Sequence, residues 1–369
     1  MRRISQTVLL FGVLFIAAGV SLPAADVEIR PFEFVTRVNR VDDGTLGLQT
    51  FGDLGLTLRS GFLARPSVTL GIQSETFDDP TISNIPRIRS ASVEMRELGG
   101  TELSVSYFVG EFARLGTGDE FPRRFGTDPV STRFRGFMYF PDGPRFEGMY
   151  GVSGTGLAVS TNDQWNRVEF SAYTYQDNRF DPGVFSSDIQ AMLNFDAVQL
   201  EAFVGATYPL AAVGRYRAGV LANLRSPQGD SLLLQVALPA IEPATGDEIG
   251  VSDFFFLFEP RVRLGILGTT LSFFWQPDVY DQVATNQGGS IDTNLRLELG
   301  DIRNGDAAAG VETRLAVRPD ADEQFSFSTT PFLQLSSGGI TWEIRTQAKL
   351  IPYDPTELFE GFIGVRTEF

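Results

Sequence analysis

The stretch Ile340-Thr341-Trp342-Glu343-Ile344-Arg345-Thr346-Gln347-Ala348-Lys349-Leu350 carries the pattern that decides the fold. Apolar or small side chains occupy every second position from Ile340 to Leu350, while Glu343 and Arg345 fall between them. Successive side chains of a β-strand point to opposite faces of a sheet. The period of two therefore predicts a strand with one apolar face and one charged face.

The same alternation recurs through most of the chain. Each segment runs for about 9–13 residues, the length that a tilted strand needs to cross the hydrocarbon of a bilayer. No segment after residue 25 is apolar for long enough to predict a membrane-spanning helix. The further apolar sets are Leu103, Val105, Tyr107 and Val109; Phe134, Gly136, Met138 and Phe140; Val168, Phe170, Ala172 and Thr174; Leu232, Leu234, Val236 and Leu238; Phe254, Phe256, Phe258 and Val262; Ile291, Thr293, Leu295, Leu297 and Leu299; Val311, Thr313, Leu315 and Val317; and Phe325, Phe327, Thr329, Leu333 and Leu335.

Charged residues occupy the positions between the apolar ones, often as an acidic–basic pair two residues apart, such as Arg296 and Glu298. Placing such charges against lipid near the bilayer midplane costs about 2–4 kcal/mol each. We therefore expect the charged face to look into the interior of a closed sheet. The residues predicted to line that interior are Arg133, Arg135, Arg167, Glu169, Arg215, Arg217, Glu259, Arg261, Arg263, Arg296, Glu298, Glu312, Arg314, Glu343 and Arg345.

Polar connections divide these segments, with short turns at 42–44, 99–100, 303–306 and 336–339 and longer loops near 78–88, 112–130, 177–187, 240–251 and 277–288. This pattern predicts an all-β fold, a transmembrane antiparallel up-and-down β-barrel of about 18 strands within a range of about 16–20. Chain ends on one side of the membrane require an even number, which favours two strands within 145–165. Aromatic residues near strand ends are expected in interfacial girdles, although aromatics also favour strands in general; they are Trp165, Trp275, Trp342, Tyr150, Tyr175 and Tyr353.

Residues 1–25 have the features of a cleaved signal peptide. Arg2 and Arg3 precede an apolar stretch from Val8 to Val20, which is shorter than the ~20 residues that a spanning helix needs. Ser21-Leu22-Pro23-Ala24-Ala25 then offers small residues for cleavage after Ala24 or Ala25. No repeat or linker divides the rest, so we expect one domain over 26–369.

The chain closes on Glu360-Gly361-Phe362-Ile363-Gly364-Val365-Arg366-Thr367-Glu368-Phe369, in which Gly364 lies five residues before the terminal aromatic Phe369. This arrangement resembles the assembly signal of bacterial outer-membrane β-barrel proteins, although Thr367 and Phe362 depart from its usual alternation. Together with the export signal and the alternating body, the resemblance implies a porin-like barrel in the bacterial outer membrane. Contact with outer-membrane lipid and recognition by the barrel assembly machinery follow from the same resemblance.

The segment 112–130 follows the fifth predicted strand and is too rich in glycine for a strand and too long for a turn. In general porins, which this chain resembles in strand pattern, the loop after the fifth strand folds into the barrel and narrows it. By that resemblance Asp119, Glu120, Arg123 and Arg124 would line a constriction. An ordinary surface loop is the alternative. General porins are trimers, so the resemblance also allows a homotrimer.

Composition narrows the classes of function. The chain has no cysteine and no histidine, and Lys349 is its only lysine, so imidazole- and thiolate-based catalysis has no base or nucleophile here and we expect no enzyme. A formal charge of −16 argues against nucleic acid as a partner. No loop has calcium-binding spacing, so we expect neither metal nor cofactor.

Three hypotheses remain. The first is a diffusion channel for ions and small hydrophilic solutes, because an aqueous path remains inside a barrel of about 16–18 strands unless something blocks it. The second is a surface adhesin or structural barrel whose interior is closed by ion pairs and whose long loops bind partners. The third is a secreted soluble β-protein, which would show the same alternation. The preference of the channel for anions or cations is left open by the sequence.

Overall fold

The computed structural model describes residues 26–29, 33–40, 46–59, 64–74, 87–118, 121, 125, 149–161, 167–208, 214–243, 249–275, 291–302, 305, 307–318, 324–355 and 358–367. The elements described in full are strands and two short 3-10 helices, Leu98–Gly100 and Val251–Asp253. Within these ranges no helix is long and apolar enough to cross a membrane. The expected signal peptide, the expected strand through 134–140 and Trp165 lie outside the described residues.

The strands follow one another along the chain with few other elements between them. They are β1 Asp26–Ile29, β2 Glu33–Arg40, β3 Leu46–Arg59, β4 Ala64–Ser74, β5 Arg87–Met95, β6 Leu103–Leu115, β7 Tyr150–Thr161, β8 Val168–Asp177, β9 Phe185–Asn194, β10 Val198–Tyr208, β11 Arg215–Arg225, β12 Ser231–Ile241, β13 Phe255–Leu264, β14 Leu267–Trp275, β15 Ile291–Gly300, β16 Ala307–Val317, β17 Phe325–Ser337, β18 Ile340–Ile351 and β19 Phe359–Thr367.

All nineteen strands belong to one antiparallel sheet, and consecutive strands pair from β2 to β19. β19 also pairs with β2, with Gly361 opposite Val38, so these eighteen strands close into a ring. β1 pairs with one part of β3 and β2 with another part, so β1 adds no position to the ring. The prediction of an up-and-down barrel of about 18 strands is confirmed.

Connections alternate between the two ends of the ring because consecutive strands run in opposite directions. Short turns, such as 195–197 and 265–266, lie at the end where β2 begins and β19 ends. The β17–β18 turn consists of Gly338 and Gly339, both with positive φ, which matches the type I′ geometry that joins two-residue hairpins. The opposite end carries the longer connections as well as the five-residue connection between β2 and β3.

The expectation of two strands within 145–165 is wrong. β6 pairs directly with β7, from Leu103 opposite Thr161 to Leu115 opposite Tyr150, and β7 pairs with β8 on its other side. Glycines make this single strand possible, because a Cβ on Gly156 would lie 2.2 Å from the carbonyl oxygen of Thr174. The number of ring strands stays even without a second strand there.

The two faces of the sheet separate as the alternation predicts. The described side chains of the apolar sets are exposed or half-buried on the outer face of the ring, and Trp342 and Ile344 are each 49% exposed. The alternate side chains are mostly buried. Girdle placement is wrong for Tyr150 and Tyr175, which lie on the inner face, whereas Trp342 and Tyr353 are exposed.

Candidate functional site

The inner face of β13 to β19 carries a set of charged side chains that we call the charged face. Its centre is Arg296 on β15, which is 1% exposed. Arg296 Nε donates to Glu298 Oε2 at 2.9 Å, and Arg296 Nη1 donates to Glu312 Oε1 at 2.6 Å. Its guanidinium also stacks 3.7 Å from the centroid of the Phe332 ring. The members of the charged face are Glu259, Arg261, Asp292, Arg296, Glu298, Glu312, Arg314, Glu343, Arg345, Lys349 and Glu360.

Strand pairing brings the charges of neighbouring strands together. Arg296 lies directly opposite Glu312 in the β15–β16 register. From the far side of β16, Arg345 Nη1 on β18 reaches the second oxygen of Glu312 at 3.2 Å. Two buried or partly buried cations therefore share one buried carboxylate, which is the arrangement that compensates the cost of desolvating it.

A second set of inner side chains is apolar, and we call it the apolar cluster. It is carried mainly by β6 to β14 and includes Phe255 and Phe274, whose ring centroids are 5.1 Å apart in an edge-to-face arrangement. Its members are Phe108, Leu115, Phe121, Met149, Val152, Ala158, Tyr173, Tyr175, Met192, Phe203, Leu221, Leu233, Ala237, Phe255, Leu257 and Phe274. An apolar inner wall of this size needs a covering partner, because water would contact it otherwise.

The described start of the β6–β7 connection covers part of this cluster. Gly116 N donates to Glu201 Oε1 at 2.5 Å and Gly118 N donates to Glu201 Oε2 at 3.1 Å. On β12, Gln235 Nε2 donates to the Gly116 carbonyl at 2.5 Å. Glu201 is on β10, so this chain segment has crossed inside the ring past β7, β8 and β9. Phe121 follows it and is fully buried in the cluster.

At the other end of the β6–β7 connection, two arginine side chains pack on Tyr150, the first residue of β7. The guanidinium of Arg179 lies 4.2 Å and that of Arg217 4.0 Å from the Tyr150 ring centroid. Arg217 forms a bidentate ion pair with Asp188 at 2.5 and 2.7 Å. Burial is the largest single influence and disfavours the charged form of Arg179, but the hydrogen bonds to Asp177 and the electrostatic effects of Asp177, Tyr150 and Tyr175 together outweigh it and hold the Arg179 pKa above its ordinary value. Arg179 therefore stays cationic.

The structure brings most of the predicted interior residues to the inner face. Glu169, Arg217, Glu259, Arg296, Glu298 and Glu312 are buried there, and Arg215, Arg261, Arg263, Arg314, Glu343 and Arg345 are half-buried. Arg167 instead lies on a turn, 3.6 Å from Asp196, and both side chains are largely exposed. The residues Arg133, Arg135, Asp119, Glu120, Arg123, Arg124 and Phe369 lie outside the described residues, while Gly364 lies on β19.

Several inner residues were missed by the sequence analysis. Asp188 and Asp292 share the parity of polar neighbours in their strands, and that parity could have identified them. Phe255 and Leu257 belong to the run 254–258, which is apolar on both faces. Such a run predicts a strand that is buried on both sides. It therefore indicated that protein covers the inner face at this strand. Among the described residues no three acidic side chains form a metal-binding group.

The sequence matches no protein-family model and no curated protein sequence. Solved outer-membrane proteins share the fold. A BenF-like porin from Pseudomonas fluorescens Pf-5 is similar over 94% of this chain and 98% of its own, with a TM-score of 0.56 and 8% identity. The outer membrane protein opdK from Pseudomonas aeruginosa covers 93% and 98%, with a TM-score of 0.53 and 12% identity. OccAB2 from Acinetobacter baumannii covers 95% and 98%, with a TM-score of 0.55 and 10% identity.

At these identities the likeness concerns the fold. The closed ring, the apolar outer face and these neighbours define the class as a porin-like outer-membrane β-barrel. A barrel of this kind belongs to the bacterial outer membrane, where the exposed leucine, isoleucine and phenylalanine side chains contact lipid.

Proposed function

We propose that the protein is a channel for passive diffusion of ions and small hydrophilic solutes through an Arg/Glu-lined interior. The observation that carries this proposal is the partial exposure of cations on the inner face. Arg261, Arg314, Arg345 and Lys349 keep accessible surface although they point into the ring. Ring size supports the same conclusion, because side chains alone do not fill a barrel of about 16–18 strands.

The arrangement of the interior suggests where solutes would pass. The described start of the β6–β7 connection packs on the apolar cluster, on one side of the ring. Polar solutes would then move along the charged face, where the fixed charges replace part of their hydration. We also propose that Asp119, Glu120, Arg123 and Arg124 lie at the constriction, because they belong to the segment that enters the interior at Gly116 and Gly118.

Planar bilayers test the channel directly. Purified protein should give discrete conductance steps, and these should disappear when the protein is heat-denatured before addition. A general porin added under the same conditions is the positive control. Absence of steps while the control porin conducts would refute the channel.

A structural or adhesive barrel is the second candidate. The observation in its favour is the near-complete burial of Arg217, Asp188 and Arg296, since such pairs hold the inner walls of neighbouring strands together. Binding of cells or matrix that is lost on deletion of 276–290, with an unchanged barrel and no conductance, would favour this candidate over the channel.

We further propose export by cleavage near residue 25, folding through the barrel assembly machinery and assembly as a homotrimer. β1 begins at Asp26, directly after the expected cleavage site. Gly364 of the proposed assembly signal lies on β19, which pairs with β2 and completes the ring. The mass of the protein isolated from the outer membrane shows whether the signal peptide is removed. The amount of protein that reaches the outer membrane after removal of Phe369 tests recognition by the barrel assembly machinery. The native mass of the protein in detergent tests the trimer.

A further inference from the structure

The acidic and basic members of the inner ion pairs differ in how much surface they keep. Four of the inner pairs show this difference clearly, namely Glu259–Arg261, Asp292–Arg314, Glu312–Arg345 and Glu360–Lys349. Their cationic side chains keep 16–29% of their surface exposed, whereas the carboxylate side chains keep at most 8%. The cation therefore lies over its acid on the inner face of the ring.

Hydrogen bonds to the wall explain why the acids are the buried partners. Glu259 Oε2 accepts from Ser272 Oγ on the neighbouring strand at 2.5 Å, and its other oxygen accepts from Arg261. Glu312 is enclosed in the same way between Arg296 and Arg345. A carboxylate is short and accepts only, so donors on adjacent strands can surround it, whereas a long arginine or lysine side chain extends past the wall.

The strand register aligns these cations. Arg314 on β16 and Lys349 on β18 both pair with Ser328 on the strand between them, so they lie in one cross-strand row. A second cross-strand row begins at Arg261 on β13, which pairs with Thr270 on β14, and Thr270 in turn pairs with Arg296 on β15. The accessible positive groups thus extend over β13 to β18 rather than clustering at one point.

From this arrangement we infer that the channel prefers small anions to cations, although the chain as a whole carries −16. The inference rests on the proposed channel function. An ion inside the ring is nearer to the exposed guanidinium or ammonium than to the acid behind it, so each neutral pair acts as a dipole with its positive end toward the solute. Three other pairs show the reverse order: Glu343 keeps 23% beside Arg345 at 16%, Glu298 keeps 9% beside Arg296 at 1%, and Glu242 keeps 32% beside Arg215 at 26%.

The zero-current potential in a gradient of potassium chloride measures this preference. Wild-type channels should show a potential of the sign that marks chloride as the more permeant ion. No conductance would refute the channel itself. Conductance with a zero or cation-selective potential would refute only the anion preference, so the two failures are distinguishable.

Charge-neutral double variants show whether exposure, rather than net charge, sets the preference. Glu259→Gln with Arg261→Gln removes one exposed cation and one buried acid, so the net charge is unchanged. The ratio of chloride to potassium permeability should fall by about twofold if the exposed cation acts on the passing ion. Arg167→Gln with Asp196→Asn removes a pair of exposed charges on a turn and should leave the ratio unchanged.

A folded barrel is verified for every variant by its shift in gel migration on heating. Asp292→Asn with Arg314→Gln provides a second pair if the first variant does not fold. An unchanged ratio in folded channels of both interior variants would refute the role of the exposed cations.

Discussion

The inner faces of β6–β14 and of β15–β19 differ in what covers them, while β13 carries members of both the apolar cluster and the charged face. Along β6–β14, side chains such as Phe203, Leu233 and Phe255 are buried in a cluster that includes Phe121 of the β6–β7 connection. Along β15–β19, the buried side chains are mainly charged or polar, and the ion pairs satisfy one another. An apolar wall is stable only when protein covers it, whereas a charged wall with exposed cations can face water. An aqueous path can therefore run along the charged wall but not along the apolar wall that protein covers.

The largest effect should come from breaking the charged face at its centre. Arg296→Met leaves Glu298 and Glu312 without their shared cation, and loss of one partner of a buried pair costs about 3–5 kcal/mol. The free energy of unfolding is measured by urea titration in phospholipid vesicles. Arg167→Met is the matched control, because its exposed pair with Asp196 should contribute at most about 1 kcal/mol. Equal effects of the two substitutions would contradict the assigned burial.

The apolar cluster is tested by removing one of its aromatic rings. Phe255→Ala removes a fully buried side chain that packs on Phe274, and it should lower the free energy of unfolding by about 3 kcal/mol. Phe325→Ala on the outer face is the control and should cost less than half as much, since its ring is 55% exposed toward lipid and leaves no cavity. The same urea titration measures both variants. A larger loss of unfolding free energy for Phe325→Ala than for Phe255→Ala would contradict the assignment of the inner and outer faces.

The smallest expected change in stability concerns the contact that anchors the β6–β7 connection to β10. Glu201→Ala leaves the amides of Gly116 and Gly118 without their acceptor, which should cost about 1–3 kcal/mol. Single-channel conductance should increase, because the connection that packs on the apolar cluster is less firmly held. Glu242→Ala, whose partner Arg215 lies at the rim, is the control for removing an acid. Unchanged conductance in the Glu201 variant would show that this segment does not narrow the path.

Much of the fold was predictable because a lipid-facing strand needs an apolar side chain at every second position. The outward sets in β15, β17 and β18 were identified from that rule alone, and the inner partners Arg296, Glu298 and Glu312 follow from the opposite parity. The count of strands within 145–165 was wrong, since glycines blur where one strand ends. The site was predicted less well, because parity assigns a face but does not say what lies against it.

The alternation along the chain was enough by itself to predict a β-barrel with an apolar outer face and a charged inner face. Only the tertiary structure decided how the interior is divided. Glu201 meets Gly116 across 85 residues, and Arg345 meets Glu312 across 33, through ring closure and register rather than through local pattern. The balance of acid and base was readable from the sequence, but the burial of each acid beneath its cation depends on donors from neighbouring strands.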